Sequence, residues 1–227
     1  MDIDISVIRS VPLFVGIDAA TTEALVRAMR FQRLGRGEIL FREGEEGNRF
    51  YLVLTGKVKL GRGSADGREN LIAVLGPGEM IGELTLFDPG PRTATATAVS
   101  KTELAGLAHS ELVAWVERYP QVAKHLLAAL ARRLRRTNDS LTDLVFSDVP
   151  GRVARILLDL AQRFGEARDG AIHVPHGLTQ EELAQLAGAS RETVNKALAD
   201  FAARGWITVV SRGVDLLDVD RLDRRSR

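Results

Sequence analysis

The chain has no cysteine among its 227 residues. This absence excludes disulfides, thiolate zinc sites, cysteine-ligated iron–sulfur clusters and cysteine nucleophiles, and it fits a reducing cytosol. Long apolar runs are also missing, since the longest fall far short of the roughly 20 residues of a membrane-spanning helix. The chain begins Met-Asp-Ile-Asp, which is acidic where a secretory signal peptide would be basic. The sequence therefore predicts a cytoplasmic protein without a membrane segment.

An excess of charge of either sign is absent too. The chain carries 31 basic and 30 acidic residues, so its formal net charge of +1 indicates no nucleic-acid partner. Hydrophobic residues make up 45% and charged residues 27%, which are ordinary values for a globular protein. Because the length exceeds the roughly 100 to 200 residues of a single domain, we expect two domains.

Short apolar runs separated by glycine fill residues 31–107. Such runs with intervening turns predict an antiparallel sandwich or barrel. The predicted strands lie at residues 38–41, 50–54, 58–60, 71–75 and 96–99, with turns at Asp66-Gly67 and at residues 76–78. Ahead of them, residues 19–29 predict a short helix with Asp18 as its N-cap.

A helical pattern without glycine follows over residues 111–145. Five leucines and one threonine recur at alternating intervals of three and four: Leu127, Leu130, Leu134, Thr137, Leu141 and Leu144. A seam this narrow is typical of a helix that pairs with a second copy of itself, although packing within one chain stays open. Thr137 either sets the register of the pair or faces a polar group held between the helices.

Residues 148–151, Asp-Val-Pro-Gly, break that helix because proline disfavours helix at the residue before it. We interpret this segment as a hinge. A helix is predicted at residues 152–164, two short helices between residues 180 and 203, and a hairpin from residues 206–210 and 214–217.

The two short helices have the features of a helix-turn-helix. Thr179 and Glu182 form a capping box, Gly188 supplies a left-handed cap, and Ser190 caps the second helix. At helical spacing, one side of the second helix carries Val194, Ala197, Leu198 and Phe201, and the other carries Arg191, Glu192, Asn195 and Lys196. The apolar side is predicted to pack. Arg191 suits guanine, Glu192 suits cytosine and Lys196 suits a base or a phosphate, so the polar side is predicted to bind DNA rather than only solvent.

Residues 188–198, Gly-Ala-Ser-Arg-Glu-Thr-Val-Asn-Lys-Ala-Leu, closely resemble the recognition element of the CRP/FNR family of winged-helix transcription regulators, and residues 146–152 resemble that family's hinge. The resemblance runs over essentially the whole chain. It implies an α+β fold with an N-terminal antiparallel β-roll that binds a cyclic nucleotide (1–118), a long dimerisation helix (119–147) and a C-terminal winged helix-turn-helix (148–227). The DNA-binding residues it implies are Ser190, Arg191, Glu192, Asn195 and Lys196.

Residues 81–94 resemble the phosphate-binding cassette of cyclic-nucleotide-binding domains. The resemblance makes Arg92 the phosphate clamp and Thr93 a second donor, because an arginine pairs well with a phosphodiester. Glu83 becomes the acceptor for the ribose 2′-hydroxyl, and the amides from Gly82 to Thr85, including that of Leu84, form part of the cradle.

The same family likeness implies that Thr137 and Asn138 reach the adenine amine, one from each subunit of the dimer. Cyclic AMP is the expected effector, and the Thr93 hydroxyl leaves cyclic GMP open. Residues 132–138 and 148–154 look most like the actinobacterial cyclic-AMP receptor proteins. The arginines at 132–136 are interpreted as a solvated helix face flanking Leu134.

We therefore expect a homodimeric, cyclic-AMP-responsive transcription regulator that binds pseudo-palindromic double-stranded DNA. The family resemblance implies TGTGA-like half-sites, and RNA polymerase is the expected protein partner. One alternative is a regulator on the same fold that needs no ligand or senses another effector, such as haem, although His109, His125, His173 and His176 show no evident ligand pairing. Another is a nucleotide-gated regulatory subunit of an enzyme. An enzyme proper is not expected, because no nucleophile–base pair, metal-ligand spacing or Walker loop is found.

Overall fold

A computed structural model of the protein describes residues 18–63 and 69–227. The chain forms two compact units. The first is built from residues up to 69 and from 73–135, and the second from residues 70–72 and 136–227. Within the described ranges, no helix is long and apolar enough to cross a membrane.

The first unit is a pair of antiparallel sheets flanked by helices. Its helices are α1 (Ala19–Ala28), α2 (Leu84–Phe87), α3 (His109–Arg118) and the first part of α4 (Pro120–Phe146). Its strands are β1 (Arg30–Leu34), β2 (Ile39–Phe41), β3 (Arg49–Thr55), β4 (Val58–Gly63), β5 (Glu69–Leu75), β6 (Met80–Ile81), β7 (Thr95–Ala98) and β8 (Thr102–Ala108). One sheet has the order β1-β8-β3-β6 and the other β2-β7-β4-β5. The α+β class expected from the sequence is confirmed.

Strand β3 shows how the two faces of a sheet are used. Phe50, Leu52 and Leu54 point to one side and pack with residues of α1, α3 and α4, while Val53 points to the other side and packs between the sheets. All four side chains are buried. The strand is therefore covered on both faces, which explains its unbroken apolar run.

All five predicted strands are present, whereas β1, β6 and β8 were not anticipated. Strand β1 is mostly exposed and polar, and β8 contains Gly106 and a glutamate, so neither shows a clear apolar pattern. Asp18 caps α1 as predicted, its carboxylate accepting the Thr21 amide at 2.9 Å. The predicted turn at Asp66-Gly67 lies outside the described residues.

The helical stretch predicted over residues 111–145 is two helices, because Pro120 opens α4 and α3 ends at Arg118. The predicted hinge is also shorter than expected. Only Ser147 and Asp148 are non-helical, and α5 (Val149–Phe164) begins three residues before its predicted start. Pro150 fits in the first turn of α5, and the Asp148 carboxylate caps the Gly151 amide at 2.9 Å.

The second unit contains the predicted helix-turn-helix and hairpin. After α5 come β9 (Glu166–Arg168), β10 (Ala171–Val174), α6 (Gln180–Leu186), α7 (Arg191–Ala203), β11 (Ile207–Val210), β12 (Gly213–Leu216) and α8 (Val219–Ser226). The strands form one sheet in the order β11-β12-β10-β9. The hairpin β9–β10 and helix α8 were not anticipated.

Candidate functional site

Arg92 is held deep in the first unit by main-chain acceptors. Its side chain is 5% exposed, and its Nη2 donates to the Arg49 carbonyl at 2.6 Å. Its Nη1 donates to the Gly82 carbonyl at 3.2 Å, and the guanidinium lies 4.2 Å from the centre of the Phe41 ring. Burial lowers the pKa of Arg92, although arginine stays protonated at any ordinary pH. A fixed positive charge therefore sits at this point of the fold.

The turn at Gly82 is needed for that arrangement. Gly82 has a φ of 79°, and a Cβ there would collide with Nη1 of Arg92. The backbone of Arg92 is held as well, because its amide donates to the Glu45 carbonyl and its carbonyl accepts from Gly44, both at 2.8 Å. Residues distant in sequence thus bring the cassette and its arginine together.

Glu83 is a buried carboxylate with one oxygen engaged and one free. Its residue exposure is 1%, and Oε1 accepts from Nη1 of Arg133 at 2.5 Å. Among the described residues, no hydrogen-bond partner reaches Glu83 Oε2 or Arg92 Nε, and both atoms are buried. The site therefore offers one unsatisfied acceptor beside one unsatisfied donor, which is costly unless a ligand completes them.

Arg133 is a site residue that sequence reasoning missed. It was interpreted as part of a solvated face of the long helix, and that interpretation is wrong for this residue. A buried carboxylate needs a cationic or hydrogen-bonding partner, but the sequence does not say which of four nearby arginines supplies it.

The other predicted nucleotide-binding residues are exposed. Leu84 opens α2 and is exposed, and Thr93 follows Arg92 with an exposed side chain. Thr137 and Asn138 are exposed on α4 in the second unit. The structure thus brings Gly82, Glu83 and Arg92 together, and the roles of the remaining four residues stay predictions.

The helix-turn-helix is built by the caps that the sequence predicted. Thr179 and Glu182 cap each other's backbone at the start of α6, and the Ser190 hydroxyl accepts the Thr193 amide at 3.2 Å at the start of α7. Gly188 has a φ of 57°, as its predicted left-handed cap requires. Arg152 was not anticipated here: its Nε donates to the Ala187 carbonyl at 2.7 Å and so fixes the turn.

Helix α7 has one buried and one exposed face. Val194, Ala197, Leu198 and Phe201 are buried, as predicted. Arg191, Glu192 and Lys196 are exposed, and an ion pair of 2.7 Å links Glu192 to Lys196. Asn195 departs from this pattern, because it is half-buried and its Oδ1 is buried without a partner among the described residues.

The β11–β12 hairpin ends in an exposed arginine. Arg212 occupies the tip with a φ of 55°, a left-handed conformation that L-residues seldom adopt. It places a cation at the end of the hairpin in the same unit as α7. The chemistry of these two elements suits an anionic, hydrogen-bonding polymer.

Two family models match this chain. Residues 31–119 match the cyclic nucleotide-binding domain, and residues 151–225 match the Crp-like helix-turn-helix domain. The chain is 52% identical over 215 residues to the CRP-like cAMP-activated global transcriptional regulator of Mycobacterium tuberculosis, covering 95% of this chain and 96% of that protein. It is 36% identical over 212 residues to the cyclic AMP receptor protein of Thermus thermophilus, covering 93% and 95% of the two chains.

A solved structure extends the comparison. The c-di-GMP-responsive global regulator CLP of Xanthomonas campestris is 26% identical, with a TM-score of 0.74 over 88% of this chain and 99% of that one. Similarity therefore covers both units and the helix between the matched segments.

Proposed function

This chain belongs to the CRP/FNR family of transcription regulators, and we propose that it is a homodimeric, sequence-specific DNA-binding regulator whose allosteric effector is cyclic AMP. Two of its relatives are named for cyclic AMP, and they match it over nearly their whole length. Both relatives are bacterial, and a regulator of transcription works beside the chromosome, so the cytoplasm is the expected location.

The unsatisfied pair in the first unit carries the nucleotide part of this proposal. Cyclic AMP supplies one anionic phosphate and a ribose hydroxyl, which are the acceptor and donor that Arg92 and Glu83 lack. Arg92 binds the phosphate, with Thr93 and the amides from Gly82 to Thr85 as further donors. Glu83 accepts the ribose hydroxyl, and the ion pair with Arg133 orients that carboxylate.

Recognition of the base is assigned to α4. Thr137 offers a hydroxyl, and Asn138 offers both a donor and an acceptor for an adenine amine and ring nitrogen. Both residues lie on the helix that also carries Arg133. A ligand that engages Glu83 therefore acts on a residue of the dimerisation helix through the Arg133 ion pair.

The dimer is supported by the exposed seam of α4. Leu127, Leu134 and Leu141 are 62%, 62% and 57% exposed at seven-residue spacing. An apolar stripe of that period is expected to pair with a second α4 in a coiled coil. The two helix-turn-helix motifs of the dimer would then contact half-sites about one helical turn apart on the DNA.

DNA recognition is assigned to the first turns of α7. Ser190 caps the helix, and Arg191, Glu192 and Lys196 present donors and an acceptor to base edges of a TGTGA-like half-site. Asn195 lies on the same helix, and its Oδ1 must leave its buried position before that oxygen can contact DNA. RNA polymerase is the expected protein partner of the DNA-bound dimer.

A second candidate is the same regulator with a different cyclic nucleotide. The Xanthomonas neighbour is named as responsive to c-di-GMP and shares this fold. Calorimetry with cyclic AMP, cyclic GMP and c-di-GMP distinguishes these effectors, and Arg92→Ala identifies which heat comes from the proposed site.

Fluorescence anisotropy at fixed salt tests the whole proposal, with a labelled TGTGA-type palindrome titrated with and without cyclic AMP. We expect cyclic AMP to tighten binding by about 1–3 kcal/mol, which is typical of allosteric coupling. Arg92→Ala should lose this response, whereas Arg132→Ala, which removes an exposed arginine of α4, should keep it.

The DNA part has its own variant and its own contradicting result. Arg191→Ala should weaken binding to the palindrome by about 1–3 kcal/mol while calorimetry still detects cyclic AMP. Equal affinity for a scrambled duplex would overturn sequence-specific binding. No heat with cyclic AMP together with an unchanged DNA affinity would overturn the effector.

A further inference from the structure

His109 belongs to a separate element and contacts the phosphate cassette. It is the first residue of α3, and its backbone amide donates to the Asn48 carbonyl at 3.0 Å, which anchors it. Its ring Nε2 lies 3.4 Å from the hydroxyl oxygen of Thr85, a residue that is almost completely buried. The imidazole of α3 therefore contacts a residue of α2.

Thr85 in turn contacts the side chain of Arg92. Its hydroxyl contacts the Gly82 carbonyl at 3.2 Å, and Nη1 of Arg92 lies 3.2 Å from the same carbonyl and 3.4 Å from the Thr85 hydroxyl. The Gly82 carbonyl, the Thr85 hydroxyl and Nη1 of Arg92 therefore all contact one another. A shift of Thr85 would change where Arg92 points, because Nη1 contacts both the Thr85 hydroxyl and the Gly82 carbonyl.

We propose that His109 is a positioning residue for the cyclic nucleotide, which holds Thr85 and the Gly82 carbonyl so that Arg92 faces the phosphate. This inference rests on the proposed cyclic-nucleotide site. A hydroxyl at 3.4 Å is a weak anchor, so the effect of His109 is expected to be graded rather than all-or-none.

The charge of His109 should respond to the ligand. Burial lowers the pKa of His109 below 6.5, the positive charge of Arg92 lowers it further, and the Gly82 carbonyl opposes both as a hydrogen-bond acceptor. His109 is therefore neutral at pH 7. Three other carboxylates belong to these surroundings. Glu83 pairs with Arg133 through one oxygen, Glu111 accepts the amide that precedes His109, and Glu45 acts on the charge of Arg92.

The sign of the pH effect follows from Arg92. An anionic phosphate on Arg92 offsets the charge that depresses the pKa of His109, so that pKa rises on binding and the complex takes up a proton. The nucleotide then binds the protonated protein more tightly. Affinity should be flat from pH 8 to 7 and should increase as the pH falls below about 6.5.

Calorimetry with cyclic AMP between pH 5.5 and 8.0 tests the inference on the full-length protein. For the wild type we expect the Kd at pH 5.5 to be about threefold lower than at pH 7.5, limited by one coupled proton. His109→Gln keeps a polar group of similar reach but does not titrate, so its affinity at pH 7.5 should stay near wild type while the pH dependence disappears. His109→Leu should raise the Kd about fivefold at pH 7.5, since it also removes the contact with Thr85.

A second histidine provides the matched control. His173 lies in the second unit, 2.6 Å from an Asp215 oxygen, and His173→Gln should leave the pH profile of cyclic AMP binding as in the wild type. If His109→Gln keeps the wild-type profile, or if His109→Leu binds as tightly as wild type, the role of His109 is refuted while the nucleotide site stands. If the wild type gives no heat with cyclic AMP at any pH, both the site and the inference fail.

Discussion

At the scale of single residues, burial and partners separate arginines that the sequence presents as alike. Arg92 is almost fully buried and held by backbone carbonyls, Arg133 pairs with the buried Glu83, and Arg132 beside it is exposed. Neighbours in a helix point about 100° apart, so only one of two adjacent arginines can face the sheets. The different surroundings of Arg132 and Arg133 follow from that rotation rather than from residue type.

Arg133→Met should destabilise the first unit by about 2 kcal/mol at pH 7.5, because it removes the ion-pair partner of the buried Glu83 carboxylate. Loss of one partner from a fully buried ion pair costs more, but the Arg133 side chain is 30% exposed, so water partly screens this pair. Urea unfolding followed by circular dichroism measures the change. Arg132→Met on the exposed face is the control and should change stability by about 0.5 kcal/mol or less.

A double variant shows whether the effect belongs to the pair. Glu83→Gln combined with Arg133→Met should cost less than the two single changes added together, since neither partner is then left as an isolated charge. Strict additivity, or equal losses for Arg132→Met and Arg133→Met, would contradict the pairing.

At the scale of elements, α4 serves two surfaces at once. Val122 and Leu126 near its start are buried against the first unit, whereas the seam leucines at 127, 134 and 141 are exposed. A helix packed only on its own unit would bury its whole apolar face. The exposed stripe therefore calls for a partner helix, as its heptad spacing predicted.

Leu134→Lys should convert the protein from dimer to monomer at micromolar concentration. Each buried leucine contributes about 1.5–3 kcal/mol, and a dimer loses two of them while gaining two unpaired charges in its seam. Sedimentation equilibrium should then give a mass near 24.8 kDa rather than about twice that value. Val113→Lys, which changes an exposed apolar residue of α3, is the control and should stay dimeric. A wild-type monomer at tens of micromolar would refute the dimer.

The junction between α4 and α5 is braced by one arginine close in sequence and by one far along the chain. Arg152 donates to the Ser147 carbonyl at 2.6 Å, and Arg225 of α8 lies 2.6 Å from the Asp148 carboxylate. The hydrogen bond from Arg225 is the main cause of the lowered pKa of Asp148. The sequence marked this segment as a hinge, but the side chains that hold it were visible only in the fold.

At the scale of the whole molecule, the neutral net charge conceals sorted charges. The 31 basic and 30 acidic residues nearly cancel, yet Arg191, Lys196 and Arg212 are exposed on the two elements assigned to DNA. Many of the acids are paired or cap helices, as Asp218 does for α8. Electrostatic binding to DNA should therefore be weak and sensitive to salt, with base contacts carrying discrimination.

The allosteric proposal has a consequence for the full-length protein that a titration with either ligand can test. If cyclic AMP tightens DNA binding by some factor, saturating DNA must tighten cyclic AMP binding by the same factor, because the two affinities form a closed thermodynamic cycle. Calorimetry of cyclic AMP with and without saturating palindrome should reproduce the factor found by anisotropy. A mismatch beyond error would show that the two titrations do not report the same two-state protein.

Most of the architecture could be predicted because it depends on local patterns. Glycine-separated apolar runs indicated five strands, and caps at Thr179 and Ser190 marked the helix-turn-helix. Strand β8 and helix α8 were missed, since a glycine and a glutamate interrupt the apolar residues of the strand, and the helix is charged with a single buried leucine. The boundary of α5 was misplaced because proline is tolerated in a first helical turn.

The sequence by itself determined the class of the fold and the cassette with Arg92 and Glu83. It also determined the seam of α4 and the two faces of α7, since each is a pattern of neighbours along the chain. Only the tertiary structure decided that Arg133 pairs with Glu83 and that His109 contacts Thr85. It also decided that Arg152, next to the hinge, binds the turn between α6 and α7. Those contacts join residues from 24 to 50 positions apart. Burial and packing of whole elements select such partners, and no local pattern along the chain specifies them.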